Sequence, residues 1–317
     1  ESVTTAKLIE WLKEPPRHVQ VKRWVVSYTL KSLGFKWGHG KAGNLIEKKK
    51  NNVKKLRDKY CELYMNNKYS TEPMMNVWTD ETYVHQNHSA DYTWYLAADG
   101  NKLAHPSSKG DKWIIIHAGT DKGWVNGALL MYRSKIKEGD FHGNMDADNY
   151  LRWFKDQLLP NLSSPSLIHL DNAKYHKIKN IDFSLSKARK PELQAFLTQH
   201  NIAWNAFDLK PVLHAKAKEI VENAKPIAEL LAEEKGHKIA WLPPYHPELN
   251  PIEYAWGVAK NHVATTSTFT GSGRNMEEVK KSFQDGLAKV NEEVWNSTKN
   301  KCEEILDKYW FDCDITI

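Results

Sequence analysis

With 317 residues, the chain is long enough for two domains or for one large domain with additions. Hydrophobic residues make up 41% and charged residues 26%, which excludes global disorder and allows a sizeable core. The net charge is +6, but residues 1–70 hold sixteen Lys/Arg against six Asp/Glu, so the remaining residues sum to −4. A basic front on a mildly acidic remainder suggests a polyanion-binding segment joined to something that uses carboxylates. No apolar run approaches the roughly 18 residues of a membrane span, and no secretory leader is read at the start. Cys61, Cys302 and Cys313 are too scattered for a disulfide framework or a cysteine zinc site, which points to a reducing compartment.

In chain order, "TAKLIEWLK" (5–13) predicts a short helix, stopped by Pro15-Pro16. "VQVKRWVVSYTLKSLGF" then carries Val21, Trp24, Val25 and Tyr28 at helical spacing, with Lys22 and Arg23 near its start. Two short helices with basic residues are compatible with a helix-turn-helix DNA reader over 17–40, and equally with a packing unit. "EKKKNNVKKLRDKYCELYMNN" predicts a basic helix or linker, with Lys48, Lys49, Lys50, Lys54 and Lys55 as further candidate DNA contacts.

From Met74 the pattern changes. "MMNVWTDETYV", "DYTWYLA", "KWIIIHAG" and "NGALLMYRS" predict strands. "DADNYLRWFKDQLLPNL" predicts an amphipathic helix with Tyr150, Trp153, Phe154 and Leu158 on one face and Asp146 or Asp148 at its cap. "PSLIHLDNAKYH" gives a strand ending at Asp171, and "KIAWLPPY" gives another. "NPIEYAWGVAKNHV" gives a helix with Asn250 as N-cap and Pro251 in first position. Residues 177–238 interrupt the order with helices whose expected apolar positions include Leu193, Phe196, Leu197, Leu209, Val212 and Leu213. A helical tail closes the chain. The whole predicts an α/β fold divided into a basic region (1–70), an α/β domain (71–270) and a tail (271–317).

Three acids stand where α/β sheets present functional groups: Asp80 at or near a strand end, Asp171 ending another strand, and Glu253 in a first helical turn. Converging carboxylates repel unless cations lie between them, and oxygen-only ligands select Mg²⁺ or Mn²⁺. Each acid also has a plainer reading, as a turn former or a favourable charge at a helix start. Glu81 points away from Asp80 if the strand continues and reads as structural. His85, His88, His105 and His117 lack a ligand spacing. His246 either fills the proline turn or touches DNA, and Tyr254 and Trp256 read as core.

The stretches "VWTDETYV" (77–84), "IHLDNAKYH" (168–176) and "LPPYHPELNPIEYAWGVAK" (242–260), in that order, resemble the mariner-type superfamily of DDE transposases and the related insertion-sequence enzymes. The resemblance covers 74–265 with one interruption, plus the helix-turn-helix remnant at 17–40. It implies an RNase H-like catalytic core, a mixed sheet flanked by helices. It maps the metal-binding triad onto Asp80, Asp171 and Glu253, with Asn172 and His176 beside the site. It further implies two Mg²⁺ or Mn²⁺ ions, cutting of transposon ends, and joining of 3′-hydroxyls to target DNA. The implied partners are terminal inverted repeats, target DNA and a second copy of the chain. The place of action would be the nucleus in a eukaryote, otherwise the cytoplasm or nucleoid. A non-cutting domesticated DNA binder and an RNase H-like nuclease are the alternatives. The 82 positions between Asp171 and Glu253 exceed the usual gap, and the insertion accounts for them. The insertion vaguely resembles a SAP-type DNA-binding module, with a packing element as the alternative.

Overall fold

The segments of continuous or alternating apolar character become the strands of one mixed sheet. β1 (Met75–His85) pairs antiparallel with β2 (Lys112–Thr120) and parallel with β5 (Ser166–Leu170). β5 pairs parallel with β6 (Lys238–Trp241), and β2 carries β3 (Gly123–Trp124) and β4 (Leu130–Arg133) on its far edge. The order is β3-β2-β1-β5-β6, with β4 also on β2. Every residue of β5 is buried, as expected of a central strand covered on both faces. This computed structural model describes residues 5–33, 50–89, 108–134, 145–181, 183–266 and 274–314. The strand expected at "DYTWYLA", His105, Lys48, Lys49 and part of the 17–40 helix-turn-helix lie outside them.

Residues 1–47 and 48–317 form two compact units. The first contains α1 (Thr5–Lys13) and α2 (Arg23–Ser32). Arg17 closes α1, lying over the Trp11 ring and donating to the Trp11 carbonyl at 2.7 Å. The expected apolar face of α2 is corrected: Val26 is the buried residue, while Trp24 and Tyr28 are 68% and 70% exposed.

The second unit begins with α3 (Asn51–Lys68), so the compact boundary falls before this helix and not at residue 70. Val53, Tyr60, Cys61, Tyr64 and Met65 are buried along one stripe of it, and Lys54 and Lys55 are exposed. Tyr60, Cys61, Tyr64 and Met65 join the core on one face of the sheet, together with α8 (Pro251–Thr265), α9 (Met276–Leu287) and α10 (Glu292–Asp314). Trp113 and Trp124 lock α9 onto β2 and β3 by donating to the carbonyls of Met276 and Leu287. The other face is covered by α4 (Ala147–Trp153), which continues through turns of different pitch to Asn161, and by α7 (Ile227–Glu234). Asp146 caps α4 by accepting from the Asn149 amide, and Tyr150, Trp153, Phe154 and Leu158 are all buried as expected.

The insertion is smaller than 177–238, because α7 covers the sheet. It leaves and rejoins at a neck where Ile227 donates to the Ile178 carbonyl and Lys179 bridges Pro226. α5 (Lys190–Gln199) and α6 (Lys210–Asn223) enclose their own small core of Leu193, Phe196, Leu197, Leu213 and Ala217. Leu209 and Val212, expected in that face, are 70% and 44% exposed. Leu209 precedes α6, and of the adjacent Val212 and Leu213 only Leu213 is buried in the core shared with α5.

Candidate active site

β1 and β5 run in a register that sets Met75 opposite Ser166 and Trp78 opposite His169. Continuing it by two residues brings Asp80 level with Asp171. Asp80 is therefore not at a strand end. β1 runs on to His85 because β2 keeps pairing with it, and what stops beside Asp80 is the pairing with β5. Asp171 is the first residue past β5.

Glu253 reaches the same neighbourhood through the proline-rich turn. β6 ends with Trp241 opposite Leu170, and the Leu242 amide donates to the Leu170 carbonyl at 2.8 Å. Asn172 donates to the Leu242 carbonyl and accepts from Lys177, whose ammonium lies 4.7 Å from the Trp241 ring centre. Asn172 thus ties the second motif to the third. His246 is buried against Glu248, with Nδ1 2.9 Å from Oε1, and packs edge-on to Tyr309, so it fills the turn. Tyr245 is exposed, with a φ of 64°. Pro251 opens α8 as expected, but the Asn250 side chain does not cap it. Its amide instead donates to the Thr79 carbonyl at 3.4 Å, fastening the helix start to β1 beside Asp80.

Side chains alternate along β1, so Asp80 and Glu81 face opposite sides of the sheet. Asp80 faces an aromatic layer. Trp256 donates to its Oδ2 at 3.2 Å and stacks on Trp124, which stacks on His117 and meets Trp295 edge-on. His117, directly opposite Asp80 in register, contributes no charge, because burial pushes its pKa down to about 3. Burial, then Glu253, Glu81 and Asp171, raise the Asp80 carboxyl well above its ordinary value. Desolvation and Asp171 also raise Glu253, against the pull of Lys260, although Glu253 itself stays open to solvent.

Asp171 behaves differently. Burial alone would raise it, but His176, the Ala173 amide and Lys177 outweigh burial and hold it below its ordinary value. His176 is 2% exposed and sits between two acids, with Nε2 2.9 Å from Glu81 and Nδ1 2.7 Å from Asp171. The Asp171 contact is short but off the hydrogen-bond axis. Burial opposes charge on this ring, yet the two carboxylates win and push its pKa up to about 10.

The expected residues Asp80, Asp171, Glu253, Asn172 and His176 share one end of the β1–β5–β6 seam. The sequence reading missed Glu81 as a partner of His176, the Trp256 donor and Lys260. Alternation along β1 placed Glu81 on the face opposite Asp80, but its partner lies 95 residues on in the chain. Among the described residues, no three His, Cys, Asp or Glu side chains are drawn tightly enough together to form a ready-made metal shell. The donor chemistry still fits a hard cation. Asp80 is a carboxylate among carboxylates, with an indole N–H and no ion pair among the described residues. Lys22 just before α2, Arg23 on α2, and Lys54 and Lys55 on α3 are exposed. Lys50 precedes α3.

The DDE superfamily endonuclease family matches residues 76–273. The fold is similar to that of the Mos1 mariner paired end complex with Mg, with a TM-score of 0.56 at 15% identity over 98% of this chain and 74% of that one. The paired end complex with Mn gives 0.53 at 15% identity, over 98% and 74%. The Mos1 strand transfer complex gives 0.53 at 17% identity, over 98% and 73%. Among functionally curated proteins, no sequence matches the chain.

Proposed function

The chain belongs to the DDE superfamily endonucleases, and we propose that it is a mariner-type transposase that cuts transposon ends and joins their 3′-hydroxyls to target DNA. The observation that carries this reading is the meeting of three motifs at one place. Asp80 on β1 and Asp171 just past the parallel neighbour β5 stand level, and the Asn250–Thr79 hydrogen bond fastens the Glu253 helix beside them.

Asp80, Asp171 and Glu253 would hold Mg²⁺ or Mn²⁺, which supplies Lewis acidity and charge neutralisation for in-line displacement at phosphorus. The chain's own residues prepare the place. Trp256 fixes the Asp80 carboxylate by donating to its Oδ2. His176 holds Asp171 from behind. The aromatic layer excludes water from one side of Asp80, which strengthens the attraction of its charge for a cation. Asn172 keeps the proline turn, and so Glu253, in register with Asp171. Cutting and joining are both displacements by an oxygen nucleophile at phosphorus, so one site serves both.

DNA would be gripped by Lys22 and Arg23 of the first unit and by Lys50, Lys54 and Lys55 around α3, with Lys48 and Lys49 continuing that run. Most of the N-terminal charge excess, +6 of the +10 over residues 1–70, falls on 48–70. The second unit would therefore carry a large share of the phosphate contacts. The similar Mos1 structures are paired end complexes, and we extend the pairing of ends to this chain, with two copies of it doing the pairing.

The test is to incubate the protein with Mg²⁺ and DNA ending in the inverted repeats that flank its gene. The expected result is a cut at the repeat and joining of the new 3′-hydroxyl to a plasmid. Tight binding without cutting in Mg²⁺ or Mn²⁺ would make it a DNA binder. Cutting confined to RNA–DNA hybrids would make it a nuclease of another kind.

A further inference from the structure

We infer that Glu81 is a positioning residue for the metal-holding carboxylates and acts on Asp171 only through His176. This rests on the functional reading above. Three observations carry it. First, Glu81 lies on the opposite face of β1 from Asp80, so it does not belong to the same donor set. Second, the imidazole between Glu81 and Asp171 is almost fully enclosed, with one ring nitrogen 2.9 Å from Glu81 and the other 2.7 Å from Asp171. Third, the ring is wedged between aromatic neighbours: Tyr150 lies 4.1 Å and Tyr175 4.4 Å away between ring centres. It cannot turn without displacing core residues, since Tyr150 is itself fully buried.

The geometry gives each member one task. Glu81 is fixed in a strand backbone and only 13% exposed, so it is the rigid end of the chain of contacts. His176 transmits that fixed position. Asp171, 50% exposed, is the end that faces outward and is free to ligate. Asp171 also accepts from the Ala173 amide at 2.9 Å, so two contacts from its own side of the site set the direction of its carboxylate. Groups that orient a ligand from behind commonly change metal affinity by about 10- to 100-fold when removed.

The experiment measures Mn²⁺ binding to the full chain by the electron paramagnetic resonance of free Mn²⁺. Metal-free melting temperature is recorded alongside for each variant. Asp171→Asn must weaken Mn²⁺ binding if the functional reading holds; if it does not, that reading fails and this inference with it. Glu81→Gln, which keeps size and an acceptor, is expected to weaken Mn²⁺ binding about 10-fold. His176→Gln is expected to do the same. The decisive arm is the double variant. Because Glu81 acts through His176, adding Glu81→Gln to His176→Gln should cost less than about twofold more. Additive losses would overturn the inference, as would wild-type Mn²⁺ affinity in Glu81→Gln beside a weakened Asp171→Asn. If Glu81→Gln fails to fold, Glu81→Asp replaces it and should weaken Mn²⁺ binding less than His176→Gln does. An equal or greater loss would count against the inference.

Discussion

Asp80 and Glu81 are consecutive acids in one strand, yet the fold treats them oppositely. Asp80 faces a layer of tryptophans and the carboxylates of Glu253 and Asp171, with the Trp256 indole N–H donating to it. Glu81 faces His176 and has a close, buried counter-charge. A paired acid belongs to the architecture of the folded chain. An unpaired one, in a place that raises its pKa, marks where the fold tolerates an unfavourable charge for the sake of something that binds there. On the proposed reading, the difference separates the acid that would ligate a metal from the acid that would support it.

The largest effect should come from the ligand side. Asp80→Asn, Asp171→Asn and Glu253→Gln are each expected to lower DNA cleavage by several orders of magnitude, measured as product from a labelled end. Cleavage at wild-type rates by any of them would remove that acid from the site. Next in size is damage to the wall behind Asp80. A methyl group on Gly119 would overlap the ring of the fully buried Trp295. Gly119→Ala should therefore destabilise the chain by about 1–3 kcal/mol, as overpacking does, in urea unfolding.

The third prediction sets the two acids directly against each other in metal-free buffer. Asp80→Asn keeps an oxygen for the Trp256 donor and removes a repelled charge, so it should stabilise by about 1–2 kcal/mol. Glu81→Gln removes the partner of a buried imidazole and should destabilise by a similar amount, about 1–2 kcal/mol. Equal signs in the two melts would break the comparison. The smallest effect extends it to an acid far along the chain. Glu303 accepts from Tyr64 at 2.7 Å and from Lys68 at 3.0 Å. Burial would raise it, but these partners hold it below its ordinary value. The unfolded chain therefore takes up this proton first as pH falls. The tie is complete above the ordinary glutamate range and is lost as pH drops through the folded value. Between pH 6 and pH 3, Glu303→Gln should lose less stability than wild type, by under about 1 kcal/mol for so exposed a pair.

Much of this was legible in the sequence, and the misses share a cause. Tyr150, Trp153, Phe154 and Leu158 announced a buried helix face through spacing alone, and they fill it. The strand that ends at Asp171 was legible because a buried parallel strand is short and continuously apolar. What local pattern could not give was partnership across the sheet. Asn250 stands at the N-cap position, but its amide is recruited by the Thr79 carbonyl, 171 residues away in sequence. Glu81 was placed on the correct face, but its partner His176 lies 95 residues on. α3 was expected as a basic helix or linker because its lysines dominate its composition. The stripe of Tyr60, Cys61, Tyr64 and Met65 decides its place instead. At Leu209 and Val212, helical spacing promised burial that in this first turn only Leu213 receives, in the core shared with α5.

The most direct test of the central claim is anomalous diffraction from crystals soaked in Mn²⁺. The account predicts a peak in contact with Asp80 and Asp171, with Glu253 turned toward the same place, and no peak against Glu81. Mn²⁺ bound elsewhere, or ligated by Glu81 in place of Asp80, would contradict it.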